Sequence, residues 1–74
     1  MTLDQLKENT EAQITKINSN NELKQRFYSF GIIKGSIISI SKISLAKNTL
    51  EVIVEDTSIG MRIEEAKQIE VKVL

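Results

Sequence analysis

Cysteine, histidine, proline and tryptophan are all absent from this sequence of 74 residues. Without cysteine the chain has no disulfide and no thiolate ligand for a metal, and without histidine it has no imidazole ligand or imidazole base. These absences exclude the Ser-His and Cys-His pairs that many hydrolases use as nucleophile and base. We therefore expect a protein that is not an enzyme and that has no cofactor.

An excess of one charge and long apolar runs are also lacking. Ten basic and ten acidic residues give a formal net charge of zero, whereas non-specific binding to nucleic acid depends on a positive field. No segment approaches the run of about 20 apolar residues that spans a bilayer. The first residues, MTLDQLKENTEAQ, are polar and acidic, unlike a signal peptide. We expect a cytoplasmic protein that neither inserts into the membrane nor binds nucleic acid.

The most informative stretch is NELKQRFYSFGIIKGSIISI, residues 21–40. Leu23, Phe27 and Phe30 recur at steps of four and three, so they lie on one face of a helix, and polar residues occupy the other face. The spacing predicts a short amphipathic helix at the start of this stretch.

Residues at both ends of this predicted helix are suited to terminate it. Asn20 or Asn21 supplies a side-chain acceptor for the first unpaired amides, and Gly31 provides the left-handed conformation that closes a last turn. This kind of helix end brings the next residue, Ile32, back onto Phe27. We therefore predict that the helix is packed against the segment that follows it.

Five short strands are predicted from period-two alternation and from β-branched residues. They cover residues 12–17, 36–44, 50–55, 59–63 and 69–73, with turns at 34–35, 45–49 and 56–58 and one helical turn at 64–67. Ile17 and Ile43 are out of phase with their strands, which indicates bulges. A small barrel removes the exposed edges of such a sheet, so residues 1–74 are predicted to form a single, mainly β barrel domain.

The ordered set of motifs resembles the FeoA family, the small cytoplasmic accessory proteins of bacterial ferrous iron uptake. The matching residues are Arg26-Phe27, Phe30-Gly31-Ile32, Lys34-Gly35 and the alternating Ile38 and Ile40. The resemblance implies a five-stranded SH3-like barrel with the helix inserted between the first two strands, similar to the C-terminal domain of DtxR-type regulators. It also implies action by protein-protein contact on the cytoplasmic side of a FeoB-type membrane transporter.

All three aromatic residues, Phe27, Tyr28 and Phe30, lie on the predicted helix. Tyr28 is about 100° from Phe27 around the helix axis, so the three rings do not all face the core, and an apolar rim flanked by Lys24 and Lys34 is expected. This rim and the helix exit form the predicted partner-binding surface, which consists of Arg26, Phe27, Tyr28, Phe30, Gly31, Lys34 and Gly35.

Each of these features also has a simpler explanation. The aromatic residues fit a hydrophobic core, and Arg26 can be a solvated side chain or pair with Glu22 on the same helix. The segment 31–36 has the wrong order of lysine and glycine for a phosphate-binding loop and leads into a strand. The acidic pairs 55–56 and 64–65 are expected to be solvated, so no metal ligands are predicted.

Two other classes of function are consistent with a small barrel. One is a nucleic-acid-associated or ribosome-associated domain, against which the zero net charge argues. The other is weak self-association through an edge strand, for which residues 50–55 are the candidate.

Overall fold

A computed structural model describes all 74 residues of the chain. A 3-10 turn at Leu3–Gln5 precedes five strands and two helices, which follow the order predicted from the sequence. The elements are β1 (Glu11–Ile17), α1 (Asn21–Ser29), β2 (Ile37–Ser44), β3 (Thr49–Val54), β4 (Thr57–Arg62), α2 (Ile63–Ala66) and β5 (Ile69–Val73). The amphipathic helix α1 is inserted between β1 and β2, as predicted. Neither helix is long and apolar enough to cross a membrane.

The five strands form one antiparallel sheet in the order β4-β3-β2-β1-β5. Strand β1 pairs with both β2 and β5, so the sheet curls around a single core. The register shifts between Ile14 and Lys16 in β1 and between Ile40 and Lys42 in β2. These two shifts confirm the predicted bulges, which let a short strand bend around a small barrel.

Every one of the 17 buried residues is hydrophobic, and no polar side chain is buried. The inward residues of β1, β2 and β3 are the apolar members of the alternating pattern in each strand. The largest of the fully enclosed side chains are Leu3, Ile14, Ile32, Ile38, Ile40, Val52, Val54 and Ile69. The core is therefore small and purely apolar, and its stability depends on the area it removes from water.

The N-terminal segment covers one end of the barrel and one edge of the sheet. The Gln5 side chain accepts a hydrogen bond from the Thr2 N–H at 3.0 Å, which is one of the two bonds of a capping box, and Leu3 and Leu6 are buried. The Val71 N–H donates to the Met1 carbonyl at 2.8 Å, and Thr2 forms a bridge with Glu70. The outer edge of β5 is thus occupied by the chain's own first residues.

Three sequence-based expectations are wrong in detail. Strand β3 pairs with both β2 and β4, so residues 50–55 are not an edge strand. The β3–β4 turn is formed by Glu55 and Asp56, one residue earlier than predicted, and both have positive φ. Ile63 begins α2 instead of extending β4.

Candidate partner-binding surface

Helix α1 begins and ends where its sequence predicts. The Asn20 side-chain oxygen accepts a hydrogen bond from the Leu23 N–H at 2.9 Å, which satisfies an otherwise unpaired amide. At the other end the Ile32 N–H donates to the Phe27 carbonyl at 2.9 Å, and the Gly31 N–H donates to the Tyr28 carbonyl at 3.1 Å. This pair of bonds is the Schellman motif, and it fixes the direction in which the chain leaves the helix.

Gly31 is favoured at this helix end chiefly by its backbone conformation. Its φ is +84°, a conformation that costs other residues energy. In addition, a Cβ atom at this position would lie 3.3 Å from the Glu55 Oε2 atom and 3.6 Å from Val54. The Ser36 hydroxyl donates to the Gly31 carbonyl at 2.9 Å, which ties the helix exit to the start of β2.

The turn that follows is attached to β1. Gly35 has a φ of +95°, and its N–H donates to the Ile14 carbonyl at 2.7 Å. The Ile14 N–H in turn donates to the Ser36 carbonyl at 2.9 Å. The backbone around Lys34 is therefore held beside β1, and this places the Lys34 side chain on the same side of the molecule as α1.

The three aromatic side chains divide between the core and the surface. Phe27 is 4% exposed and belongs to the core, whereas Tyr28 is 50% exposed and Phe30 is 46% exposed. Phe27 therefore anchors α1 from beneath, and the surface that a partner could reach consists of the other two rings. The predicted separation of Tyr28 from Phe27 around the helix is confirmed.

Tyr28 lies in a shallow open groove of about 360 Å³, which we call the Tyr28 groove. Its lining comprises Thr15, Lys16, Ile17, Lys24, Tyr28 and Lys34. Lys24 and Lys34 were expected to flank the tyrosine, and the structure brings them together with it. Lys16 was not foreseen, because it reaches the groove from β1 at the point where the strand register shifts.

The positive charge of this groove is not balanced by its own lining. None of the six lining residues is acidic, and the single ion pair of the chain lies elsewhere, between Arg26 and Glu65. Glu70, which lies opposite Lys16 in the β1–β5 ladder, accepts a hydrogen bond from the Asn18 amide. A chain of zero net charge therefore carries a local cluster of three lysines around an exposed aromatic ring.

Arg26 faces a different part of the surface. Its guanidinium contacts the Glu65 carboxylate of α2 at 3.4 Å, not Glu22, and its side chain is 63% exposed. It lines a second, larger open groove of about 800 Å³ together with residues of β3, β4 and α2. The predicted site residues therefore do not form one surface, because Arg26 is separated from the Tyr28 groove by the width of the helix.

The acidic residues are used in local contacts. Glu65 also accepts a hydrogen bond from the Arg62 N–H at 3.0 Å, and Glu64 accepts one from the Asn48 amide at 3.0 Å. No group of three or more acidic side chains is placed to hold a metal ion.

Comparison with known proteins gives a consistent result. The family model described as the FeoA domain matches residues 1–73 of the chain. A Campylobacter jejuni protein provisionally named Fe(2+) transport protein A is 38% identical over 74 residues, which cover the whole of both chains.

Solved structures extend this similarity to three dimensions. Stenotrophomonas maltophilia FeoA in complex with zinc is 28% identical, with a TM-score of 0.84 over 97% of this chain and 89% of that one. It is described as an SH3 domain protein and as a candidate activating factor of bacterial ferrous iron transport. The zinc-bound ScaR protein is 20% identical and has a TM-score of 0.88, and the match covers all of this chain and 37% of ScaR. The barrel is thus SH3-like, and the same fold occurs in the C-terminal domains of DtxR-type repressors.

Proposed function

Because the chain belongs to the FeoA family, we propose that it is a cytoplasmic accessory protein of bacterial ferrous iron uptake. In this proposal it acts by protein-protein contact on the cytoplasmic side of a FeoB-type membrane transporter, and it catalyses no reaction itself. The names of its relatives support a role in Fe(2+) transport, and the fold supplies a barrel that exposes Tyr28 on α1 and Phe30 at the C-terminal end of that helix.

The main support for this proposal is the exposure of Tyr28, half of whose surface is accessible to a partner. Aromatic residues are enriched among the side chains that dominate binding energy at protein interfaces, because they bury a large area at low cost in conformational entropy. Tyr28 stands on a helix that is capped at both ends and anchored by Phe27, so the position of its backbone is fixed before binding. A preorganised side chain loses little freedom when a partner covers it.

The three lysines of the Tyr28 groove indicate the chemistry of the surface it would contact. A cluster of positive charge raises the rate of encounter with an acidic partner surface, and it repels a basic one. An apolar floor formed by Ile17 and the Tyr28 ring suits an apolar side chain better than a free phosphate group. We therefore propose that the transporter presents an acidic segment with an apolar or aromatic residue to this groove.

Replacing Tyr28 or Phe30 with serine should weaken binding to the transporter by about tenfold or more, because each change removes an exposed aromatic contact. The measurement is calorimetric titration of the purified chain with the transporter's cytoplasmic domain and with the detergent-solubilised whole transporter. Each titration is performed with and without guanine nucleotide.

A matched control for these variants is Leu45→Ser. Leu45 is 81% exposed but lies in the β2–β3 loop, away from α1, so its replacement should leave the affinity unchanged. If the wild-type chain, Tyr28→Ser and Phe30→Ser all bound the transporter with the same affinity, the contact would lie on another part of the protein surface. Absence of wild-type binding to both transporter preparations would contradict the proposed function.

Reversing the charge of the groove lysines tests the electrostatic part of the proposal. The triple variant Lys16→Glu, Lys24→Glu, Lys34→Glu should slow association with the transporter by about tenfold at low salt, and the difference should shrink as salt is added. Stopped-flow or surface-based kinetics over a salt series would measure the association rate.

The control is a triple variant at lysines outside the groove, Lys42→Glu, Lys47→Glu, Lys67→Glu, which changes the net charge by the same amount. Equal slowing of both triple variants would mean that net charge alone matters and that the groove has no special role. The same chains are titrated with a single-stranded RNA oligonucleotide. Tight, salt-dependent RNA binding without transporter binding would favour the nucleic-acid-associated alternative instead.

A further inference from the structure

Most acidic side chains of the chain are engaged within the molecule. Of the ten acids, those whose carboxylates accept a hydrogen bond are Asp4, Glu8, Glu51, Glu64, Glu65 and Glu70. The carboxylates of Glu11, Glu22, Glu55 and Asp56 have no hydrogen bond, and the one ion pair of the chain uses none of them. Only Glu55 and Asp56 are adjacent, so the β3–β4 turn, which we call the acidic turn, presents two unpaired carboxylates together.

The backbone of the acidic turn does not account for its residues. Glu55 and Asp56 have φ values of +50° and +64°, as in a two-residue type I′ hairpin, and Val54 pairs with Thr57 to close it. Such a turn favours Asn-Gly, because both of its central residues need positive φ. Both acids are exposed, so their carboxylates are open to a partner.

The acidic turn and the Tyr28 groove lie on different parts of the barrel. The groove is lined by residues of β1, α1 and the turn before β2, whereas the acidic turn joins β3 to β4. Strand β2 lies between β1 and β3, which separates the two surfaces by two strand spacings, or about 10 Å. Neither acid lines the groove, and the ion pair of the chain joins Arg26 to Glu65. A contact between the acidic turn and the groove therefore requires a second copy.

The acidic turn has the chemistry that suits the Tyr28 groove. Lys16, Lys24 and Lys34 line the groove without an acid among them. Ile53, two residues before Glu55, is 38% exposed on the outer face of β3. The hairpin end thus combines two carboxylates with an exposed apolar side chain, as the proposed function requires of a segment that docks in the groove.

The charge balance of the chain favours a second copy as the occupant. Ten basic and ten acidic residues give a formal net charge of zero, so two copies do not repel each other as wholes. Residues 53–58 contain no basic side chain, and the groove lining contains no acidic one. Two copies therefore attract when groove faces turn and repel when groove faces groove, which selects one relative orientation.

We propose that the acidic turn of a second copy binds in the Tyr28 groove, with Glu55 and Asp56 facing the three lysines. The contact is heterologous, because one copy contributes the turn and the other the groove. Exposed ion pairs are weak and are screened by salt, so we expect a dissociation constant of about 1 mM at low salt. This inference rests on the groove chemistry of the proposed function, and it makes self-association and transporter binding mutually exclusive.

Sedimentation velocity at low salt, from about 10 µM to about 1 mM protein, tests the proposal. The apparent mass should rise above 8.4 kDa with concentration, and added salt should reverse the rise. The turn variant, Glu55→Asn with Asp56→Gly, removes both carboxylates and supplies the pair that the turn favours, so it should fold and stay monomeric. The matched control, Glu11→Gln with Glu22→Gln, changes the net charge equally and should associate as the wild-type chain does.

Mixing two variants tests the heterologous contact directly. The groove variant, Lys24→Gln with Lys34→Gln, should be monomeric alone. An equimolar mixture of the groove and turn variants should approach twice 8.4 kDa and no more, since one chain keeps only its turn and the other only its groove. With the turn variant labelled with ¹⁵N, the amide shifts caused by mixing should be confined to residues around its Tyr28 groove.

A wild-type chain that stays monomeric at about 1 mM would overturn the proposal. Association of the turn variant alone would also overturn it, because another segment would then occupy the groove. An equal loss of association in the matched control, or a mixture that does not pair, would likewise contradict it. No transporter is present in these experiments, so their failure is distinct from failure of the proposed function, which its own titrations decide.

Discussion

Replacing Phe27 with alanine should lower the free energy of unfolding by about 3–5 kcal/mol, because it empties a buried position in a small core. The ring is 4% exposed and is the only aromatic side chain in the core. A chain of this size has a total stability of about 0.05–0.15 kcal/mol per residue, so the loss is a large part of the whole. We expect α1 to detach from the barrel more easily, because its other buried contact, Leu23, is only partly covered.

Urea unfolding followed by circular dichroism would measure this loss. The matched control is Phe30→Ala, which removes the same ring from a position that is 46% exposed and should cost about 1 kcal/mol or less. Similar losses in the two variants would mean that the division of aromatic residues between core and surface is wrong.

Replacing Ile40 with alanine should destabilise the fold by about 2–5 kcal/mol. Ile40 is fully buried next to the β2 bulge, and it pairs with Val52 of the neighbouring central strand. Its carbonyl also accepts the Asn9 N–H at 2.7 Å, so a shift of this backbone would disturb the loop that leads into β1.

The control for this variant is Ile37→Ala on the same strand. Ile37 is 41% exposed and opposite Gln13, so removing its side chain should change the stability by about 1 kcal/mol or less. Each kcal/mol lost should lower the melting temperature by about 4–8 °C in a domain of this size. Equal melting temperatures for Ile37→Ala and Ile40→Ala would contradict the inward orientation of Ile40.

The sequence predicts best those structural features that are determined by residues only a few positions apart in the chain. The cap at Asn20, the left-handed Gly31 and the return of Ile32 onto Phe27 all depend on neighbours in the chain. The alternation of Leu50, Val52 and Val54 with polar or exposed residues likewise indicates directly which side chains of β3 face the core. Local chemistry decides these elements, so a single sequence is sufficient to place them.

The features that it predicts poorly depend on distant parts of the chain. Arg26 contacts Glu65, which is 39 residues away, and Lys16 reaches the Tyr28 groove only because the β1 register shifts. Neither contact has a signal in the spacing of residues along the sequence. The exposure of the Tyr28 and Phe30 rings and the position of Lys24 and Lys34 beside Tyr28 were predicted, whereas Lys16 was not foreseen and Arg26 lies on another face.

The prediction that residues 50–55 form an edge strand was wrong for a similar reason. A strongly alternating strand such as β3 shows that one face is buried, but alternation contains no information on which strands lie beside it. The order β4-β3-β2-β1-β5 places β3 inside the sheet. Only the pairing identifies β4 as the edge on that side of the sheet.

The lack of tryptophan has a practical consequence, since Tyr28 is also the single tyrosine of the chain. Near-ultraviolet fluorescence of the isolated protein therefore comes from one ring, which is half-exposed in the groove proposed to meet the transporter. A partner tryptophan close to that ring would accept its excitation energy and quench the tyrosine emission. The protein thus carries a natural optical reporter at the proposed contact, and docking could be followed without attaching a dye.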